Sequence, residues 1–389
     1  MLKRLKDITS YHKGKKPNIL LDKSTDFSLP YLTADYFRNG VPTQFVPSEC
    51  LSNCVVCGHN DIVLIWDGSR AGDVFSGLNG VLASTMIKID SKEEHVLKDY
   101  ILFYLKTQFK NLNDKTTGSS IPHIRKSLFE NLQIDIPPLE TQRRIVAILN
   151  KAEETRRLRA QADELESGLI QNIFMKMFGD PITNQKGWEI EALDTLCDEL
   201  YRYPTFYGFD YSETGTPVVR ISNILSNGFL DPTIANYAFI DEEINKRFPR
   251  TILELNDILM AVRGDGSTAK RIGLVNHPSL VGSNISPNLI RFKTNEIKLN
   301  PIFFFYLLTS PGGQRLLEKY VTRTAKKTIT AGEIKRIKII CPPISIQQSF
   351  EQIARNEWWM KQKQERSKMI TDNLFNTLVQ KAFCGELVA

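Results

Sequence analysis

PPLETQRRIVAILNKAEETRRLRAQADELESGLIQNIFMKMF, from Pro137 to Phe178, is the stretch that decides the fold, because the chain ends on a second copy of it. That copy is PPISIQQSFEQIARNEWWMKQKQERSKMITDNLFNTLVQKAF, from Pro342 to Phe383. The two align without a gap at one constant offset, 342 minus 137, or 205 residues. The identical pairs are Pro137/Pro342, Pro138/Pro343, Gln142/Gln347, Ile148/Ile353, Leu169/Leu374, Lys176/Lys381 and Phe178/Phe383. Such a register indicates an internal duplication.

Each copy is predicted to form one long helix. A Pro-Pro pair opens each copy, and proline suits the first turn of a helix but not its interior. Apolar residues then recur three and four positions apart among charged ones, which is typical of a narrow stripe that packs on one partner helix. In the first copy the stripe is Ile145, Ile148, Leu149, Ala152, Leu158, Ala162, Leu165, Leu169, Ile173 and Met177. About 38 residues make a rod of roughly 57 Å, and the expected mate is the other copy in antiparallel orientation.

The segments outside the two helices repeat one plan. Asp61 to Trp66 (DIVLIW) and Val81 to Ile89 are strand candidates in the first half, and Tyr100 to Phe109 has helical spacing. In the second half, Asp257 to Val262 (DILMAV) corresponds to DIVLIW, and Pro301 to Leu308 (PIFFFYLL) corresponds to the start of the helical segment. Strands at Leu132 to Ile136 and at Ile337 to Ile340 lead into the two Pro-Pro pairs.

The sequence therefore predicts an α+β fold in four segments. These are a first mixed α/β head at 1–136, a first long helix at 137–180, a second mixed α/β head at 181–341 and a second long helix at 342–389. Gly179 and Pro181 end the first helix with stop signals. An antiparallel pair of long helices would separate the heads and relate them by a pseudo-two-fold axis.

Composition restricts the class of protein. The 389 residues allow two or three domains, and 42% hydrophobic with 24% charged residues is typical of a globular protein. No stretch is apolar enough to span a bilayer, and the opening MLKRLKDITSYHKGKK lacks the apolar core of a signal peptide. We therefore expect a cytoplasmic protein. Six cysteines, four of them isolated or loosely spaced, do not predict a disulfide framework.

Positive charge is concentrated near the end of the second head. The net charge of the chain is +6, and residues 319–338 alone carry seven basic residues against Glu333. This favours an acidic partner, with nucleic acid ahead of a membrane surface because no amphipathic membrane helix accompanies the charge.

The motifs resemble those of a known family. IPPLETQRRIVAIL, the downstream GLIQNIFMKMFGDP, the repetition of both at the C-terminus, and the strands HNDIVLIWDG and LNDILMAVRG are similar to those of type I restriction-modification specificity subunits. The resemblance covers essentially the whole chain and is strongest in the helices. It implies that the heads are target-recognition domains, each reading one half of a split asymmetric DNA site, held apart by the helical pair.

The resemblance also implies partners and cofactors. These would be double-stranded DNA, two methyltransferase subunits that use S-adenosylmethionine, and restriction subunits that use ATP and Mg. The second helix departs from the first where SIQQS, residues 345–349, replaces ETQRR, and it carries Trp358 and Trp359.

Catalytic motifs are not found in the sequence. An adenine methyltransferase needs an Asn/Asp-Pro-Pro-Tyr/Phe motif, whereas the Pro-Pro pairs here stand in IPPL and CPPI. No phosphate-binding Gly-x-x-x-x-Gly-Lys-Ser/Thr occurs, and five scattered histidines form no set of nucleophile, base and orienter. We predict a chain that is not an enzyme by itself and that binds no cofactor of its own.

Cysteines in the first head have a spacing that resembles half of a zinc site. Cys54 and Cys57 stand two residues apart, with Cys50 and His59 nearby. Structural zinc normally takes four ligands, often as two separated pairs, and no second Cys-x-x-Cys exists. Because buried thiols behave as small apolar groups, we predict a structural role and no metal.

Two loops in each head are the candidates for DNA contact. One follows the DIVLIW or DILMAV strand, and the other precedes the Pro-Pro pair. Arg and Lys would neutralise phosphates or bond guanine edges, while Ser, Thr and His can position the backbone or read bases. The candidates in the first head are Ser69, Arg70, Thr117, Ser119, Ser120, His123, Arg125 and Lys126. Those in the second head are Arg263, Ser267, Lys270, Arg271, Arg323, Lys326, Lys327 and Thr328.

The first long helix carries a candidate docking face for partner subunits. Its members are Arg143, Arg144, Arg156, Arg157 and Arg159, which we expect on the outward side of the helical pair.

Two other interpretations account for parts of the pattern. A coiled-coil assembly protein whose globular ends bind protein or RNA would explain the duplicated helices, but it leaves the paired basic loops without a purpose. A fragment of a fused methyltransferase would need the catalytic motifs that the sequence lacks.

Overall fold

The computed structural model describes residues 1–118, 120–166, 168–202, 210–262, 271–321 and 328–387. The chain forms two compact units. The first unit comprises Met1–Ala162 with Glu365–Ala389, and the second comprises Asp163–Gln364. Each unit therefore contains one head together with parts of both long helices.

The first head is built from short strands. They are β1 (Leu2–Arg4), β2 (Thr9–Lys13), β3 (Ser28–Leu32), β4 (Phe45–Pro47), β5 (Val56–Cys57), β6 (Ile62–Ile65), β7 (Val74–Phe75), β8 (Gly80–Leu82), β9 (Met86–Ser91) and β10 (Gln133–Asp135). Strands β2-β9-β6-β7 form one antiparallel sheet, and β4-β3-β8-β5 form a second in which β3 and β8 are parallel. Strand β1 pairs with β10, so the chain start lies beside the strand that leads into the first long helix.

Helices cover the first antiparallel sheet. They are α1 (Leu5–Ile8), α2 (Ala34–Asn39), α3 (Lys98–Thr107), α4 (Phe109–Asn113), α5 (Lys126–Glu130) and α6 (Leu139–Glu166), with a 3-10 turn at Ser48–Asn53. Helix α3 buries every residue from Tyr100 to Leu105. It therefore lies within the first core. The spacing of Tyr100 to Phe109 predicts one helix, whereas α3 ends at Thr107 and α4 begins at Phe109.

The second head repeats the strand plan. Its strands are β11 (Glu189–Ala192), β12 (Cys197–Arg202), β13 (Thr216–Val219), β14 (Ala238–Ile240), β15 (Ile258–Ala261), β16 (Ile272–Leu274), β17 (Asn284–Ile285), β18 (Leu289–Thr294) and β19 (Lys338–Cys341). The sheet β12-β18-β15-β16 corresponds to β2-β9-β6-β7 of the first head, and β14-β13-β17 corresponds to β4-β3-β8. The pair of β11 with β19 corresponds to the pair of β1 with β10. The predicted α+β architecture with an internal duplication is confirmed.

The helices after Gly168 follow the same order, and the last of them has residues in both units. They are α7 (Leu169–Phe178), α8 (Leu193–Leu196), α9 (Glu242–Arg247), α10 (Pro301–Thr309), α11 (Pro311–Glu318), α12 (Ala331–Lys335) and α13 (Ile344–Phe383), with 3-10 turns at Ile221–Asn223, Ile234–Asn236, Pro249–Thr251 and Pro278–Leu280. Helix α10 buries every residue from Pro301 to Leu308, so it takes the place that α3 holds in the first head. Among the described residues, no helix combines the length and apolar character that crossing a membrane requires.

A cross-strand ion pair is duplicated along with the sheets. In the first head, the Asp61 carboxylate lies 2.7 Å from Lys88 Nζ. In the second head, Asp257 lies 2.6 Å from Arg291 Nε, and both of these side chains are buried. Burial opposes ionisation of Asp61, but hydrogen bonds from the Gly58 N–H and from Lys88 and Lys98 outweigh it and lower the pKa of Asp61 to about 2. The carboxylate therefore stays charged and holds the β6–β9 pair together.

Two predictions about strands and helices need correction. Val81 to Ile89 is not one strand, because a turn in which the Met86 N–H donates to the Ala83 carbonyl separates β8 from β9.

The first long helix is also not continuous, because α6 ends at Glu166 and α7 begins at Leu169. Gly168 between them has φ of 85°, which no helical residue adopts. At the same position of the second copy stands Asn373, and α13 runs through it unbroken.

The predicted apolar stripe is also partly wrong. Ile145 and Leu149 are buried, but Leu158 is 53% exposed and Leu165 is 84% exposed. In the first unit, α6 instead meets α13 through the Arg156–Asp372 ion pair at 2.7 Å and the Arg159–Ser367 hydrogen bond. The two contacts run in opposite directions along the two helices, so this helical pair is antiparallel as predicted.

The ends of the long helices bury a face shifted by one residue from the predicted stripe. In α7 the buried side chains are Ile170, Phe174 and Phe178. The ring of Phe178 lies 4.7 Å from that of Phe303 on α10. Because this end packs on a head as well as on its mate helix, the core of the head selects which face is buried.

One glutamine at the start of each long helix fixes a head to that helix. In the first unit, Gln142 Oε1 accepts from the Leu97 N–H at 3.0 Å, and Nε2 donates to the His95 and Pro137 carbonyls at 3.0 and 2.9 Å. In the second unit, Gln347 makes the same three bonds, to the Asn300 N–H and the Lys298 and Pro342 carbonyls, at 2.8, 3.1 and 2.7 Å. Both side chains have no exposed surface.

Replacing Gln142 with alanine should destabilise the first unit. The change removes the side-chain partner of backbone groups at residues 95, 97 and 137, whose hydrogen bonds are partly buried, at about 1–3 kcal/mol for each group that stays unsatisfied. We expect a loss of at least about 2 kcal/mol, which corresponds to a decrease of about 4–8 °C in the unfolding midpoint. The matched control is Gln161→Ala, which removes an exposed glutamine from the same helix. Equal midpoints for the two variants would contradict the role assigned to Gln142.

Candidate nucleic-acid interface

The two candidate loops of the first head lie side by side. The Ile124 N–H donates to the Trp66 carbonyl at 3.0 Å, and the Gly68 N–H donates to the Pro122 carbonyl at 2.8 Å. One loop leaves the end of β6, and the other follows helix α4. Segments about 50 residues apart in the sequence are thus brought to one surface.

The described candidate residues of this surface are all exposed. They are Ser69, Arg70, Thr117, Ser120, His123, Arg125 and Lys126, while Ser119 lies outside the described residues. Thr117 and His123 exchange two backbone hydrogen bonds, at 2.9 and 2.7 Å, so the second loop is closed at its base. Asn113 Nδ2 donates to the Ser69 carbonyl at 3.1 Å and ties the first loop to α4. The exposed side chains therefore project from a backbone that is held in place.

Asp67 joins three segments at this surface. Its Oδ1 lies 3.3 Å from His123 Nδ1, and its Oδ2 lies 2.9 Å from Lys13 Nζ at the end of β2. The Asp67 N–H also donates to the Thr85 carbonyl. Asp67 begins the Asp67-Gly68-Ser69 turn that the sequence indicates after the strand, but neither it nor Lys13 was among the candidates, because Lys13 is far from both loops in the sequence.

Arg70 is held by an internal partner. Its Nε and Nη2 make hydrogen bonds of 2.8 and 2.9 Å to the two oxygens of Asp73, and its guanidinium lies 4.8 Å from the centroid of the Phe109 ring. Together with Arg38 and Lys106 it lines a concave pocket of about 480 Å³. Because Asp73 offsets the charge of Arg70, this arginine offers a phosphate less attraction than an unpaired one would.

The second head repeats the arrangement at the base of its loops. The Ile329 N–H donates to the Val262 carbonyl at 3.4 Å, which matches the bond from Ile124 to Trp66. Arg271 is exposed, and its Nη1 lies 3.4 Å from the Ile221 carbonyl. Thr328 is half-buried. The remaining candidates lie outside the described residues, and they are Arg263, Ser267, Lys270, Arg323, Lys326 and Lys327.

The candidate docking arginines divide into two groups. Arg143, Arg144 and Arg157 are exposed on α6. Arg156 and Arg159 instead face α13, where Arg156 also lies 4.6 Å from the centroid of the Phe375 ring. The prediction that these two arginines lie on the outward face is therefore wrong. The contact between the two helices is made by polar side chains at positions where apolar ones were predicted.

The surroundings of the cysteines in the first head suit a structural role. Burial raises the pKa of the Cys57 thiol to about 11, and the Cys54 thiol donates to the Cys50 carbonyl at 3.1 Å. A protonated thiol is a poor metal ligand, because the thiolate is the binding form. In the part of the chain that the structure describes, no group of three or more His, Cys, Asp or Glu is placed to hold a metal ion.

Comparison with known families gives the same match in both halves. Residues 1–167 and 185–354 match the family described as type I restriction modification DNA specificity domain. The first matched segment contains the first head and α6, and the second ends within α13.

Similar proteins extend over most of the chain. The specificity subunit of the type I restriction enzyme MjaVIII from Methanocaldococcus jannaschii is 29% identical over 368 residues, which cover 89% of this chain and 83% of that protein. The EcoBI specificity subunit from Escherichia coli is 22% identical over 366 residues, or 85% of this chain and 74% of that one.

A solved structure shows the same fold. The crystal structure of a type I restriction-modification S subunit from M. genitalium has a TM-score of 0.59 at 14% identity, and it covers 98% of this chain and 96% of that one. At this identity the likeness concerns the fold alone.

Proposed function

Since the chain belongs to the type I restriction-modification DNA specificity family, we propose that each of its heads reads one half of a bipartite, asymmetric DNA site. The helical pair sets the spacer between the half-sites and docks methyltransferase subunits. The observation that carries the proposal is the match of both halves to one DNA specificity domain.

The geometry of the heads supports this division of labour. In each head the candidate loops start from the same hydrogen-bonded point, Ile124 with Trp66 in the first and Ile329 with Val262 in the second. Beyond that point the loop sequences of the two heads differ. A shared scaffold with different loops is what two readers of different half-sites require, because bases are read by the side chains that the loops present.

The chemistry of methylation and cleavage is assigned to partner subunits. Two methyltransferase subunits would supply S-adenosylmethionine, and restriction subunits would supply ATP and Mg, because this sequence has none of the motifs for those groups. The exposed Arg143, Arg144 and Arg157 offer the partners positively charged contacts on α6. In this proposal the chain positions the DNA, and its partners provide the catalytic groups.

The purified chain alone should transfer no methyl group. The test uses unmethylated duplex DNA of mixed sequence and labelled S-adenosylmethionine. The chain with its cognate methyltransferase subunits should incorporate label, whereas each component alone should remain at background. Incorporation by the isolated chain, or equal incorporation by the methyltransferase without it, would contradict the proposal.

Shortening the helical pair should shorten the spacer. Deleting seven residues, about two helical turns, from α6 and seven from the facing stretch of α13 removes roughly 10.5 Å. This equals about three base pairs of duplex at about 3.4 Å each. Mapping the methylated sites of the variant complex should give the same half-sites with a spacer shorter by about three base pairs. The same spacer with the shortened helices would show that the pair does not set the distance.

A further inference from the structure

A short lysine segment lies at the edge of the first head's candidate surface. Residues 12–16 read His-Lys-Gly-Lys-Lys, and no acidic residue stands between Asp7 and Asp22. Strand β2 ends at Lys13, whose Nζ lies 2.9 Å from Asp67, the carboxylate that also contacts His123. The start of the segment thus contacts the first candidate loop directly, and Asp67 links it to His123 of the second.

The backbone of the segment is anchored on both sides of its two exposed lysines. The Gly14 N–H donates to the Met86 carbonyl at 2.9 Å, and Gly14 and Pro17 are buried while Lys15 and Lys16 are exposed. Any side chain at position 14 would collide with the sheet, since a Cβ there would lie 2.2 Å from the Ala83 carbonyl oxygen. Lys15 and Lys16 are therefore presented from a fixed backbone.

The charge of these two lysines is not offset within the described part of the chain. Several neighbouring cations have carboxylate partners, since Arg70 pairs with Asp73, Lys126 with Glu130 and Lys13 with Asp67. Among the described residues, neither Lys15 nor Lys16 has an acidic group within ion-pair distance. A phosphate that binds Lys15 or Lys16 therefore does not compete with a carboxylate of the described chain for that lysine.

We infer that Lys15 and Lys16 contact the phosphate backbone of duplex DNA bound at the first head. Asp67 and Lys13 hold this segment against the two candidate loops, so that one DNA strand meets all three. The inference rests on the proposed DNA-binding function and adds residues that neither the loop pattern nor the family match assigns. Two phosphate contacts would contribute affinity without sequence preference, because phosphates are the same at every base pair.

The test measures the salt dependence of DNA binding by the complete chain in complex with methyltransferase subunits. The probe is a fluorescently labelled 40-base-pair duplex of random sequence, and the logarithm of the binding constant is plotted against the logarithm of salt concentration. Lys15→Ala with Lys16→Ala should reduce the magnitude of the slope by about 1.8, or about 0.9 for each phosphate that the side chains no longer neutralise. Lys15→Arg with Lys16→Arg should keep the wild-type slope.

The matched control removes two exposed lysines from the other end of the same strand pair. Lys6 and Lys92 adjoin the ends of β2 and β9 that lie opposite to Lys13. Lys6→Ala with Lys92→Ala changes the net charge equally and should leave the slope unchanged.

The outcomes separate this inference from the proposed function. A slope for Lys15→Ala with Lys16→Ala equal to that of the control would overturn the inference while leaving DNA binding intact. A reduced slope in the arginine pair would also overturn it, because arginine retains the charge. If the unchanged complex shows no binding that depends on salt, the proposed function itself fails.

Discussion

Gln142 and Gln347 carry the constraint on which the rest of the structure depends, because each ties the start of a long helix to the helix at the centre of a head. Each side chain is fully buried and uses its oxygen and both N–H groups, so any shift of the helix against the head would break several bonds together. The two prolines before each glutamine fix where the helix begins. Head and helix start therefore move as one body in each unit.

The duplication preserves this junction and lets the surfaces diverge. Both heads keep the sheet order, the cross-strand pair of Asp61 with Lys88 or Asp257 with Arg291, and the hydrogen bond at the base of the loops. The loops that leave this base differ in sequence and charge. Under the proposed function, two different half-sites would be read from a constant scaffold by variable side chains, and the division between core and loops agrees with that requirement.

The sequence predicts the long helices, the helical character of α3, its correspondence with α10 and the duplicated plan, because apolar periodicity and helix start and stop residues are local signals. It does not predict the break at Gly168, since a single glycine is tolerated inside many helices. It also places Arg156 and Arg159 on the outward face and Leu158 in the helix contact, which is the reverse of what the structure shows. A helix that packs on a head and on a second helix does not bury one continuous apolar stripe. Lys13 and Asp67 join the candidate surface through tertiary pairing alone, so only the structure can place them beside His123.

The most direct test of the central claim replaces the second half of the chain, from residue 185 onward, with a second copy of the first half. If each head reads its own half-site from a common scaffold, the complex of this chain with methyltransferase subunits should methylate a site composed of the first half-site and its inverted repeat, which sequencing of modified bases would reveal. Methylation of the original asymmetric site by the duplicated chain would contradict the account, because the half-site read by the second head would then persist without that head.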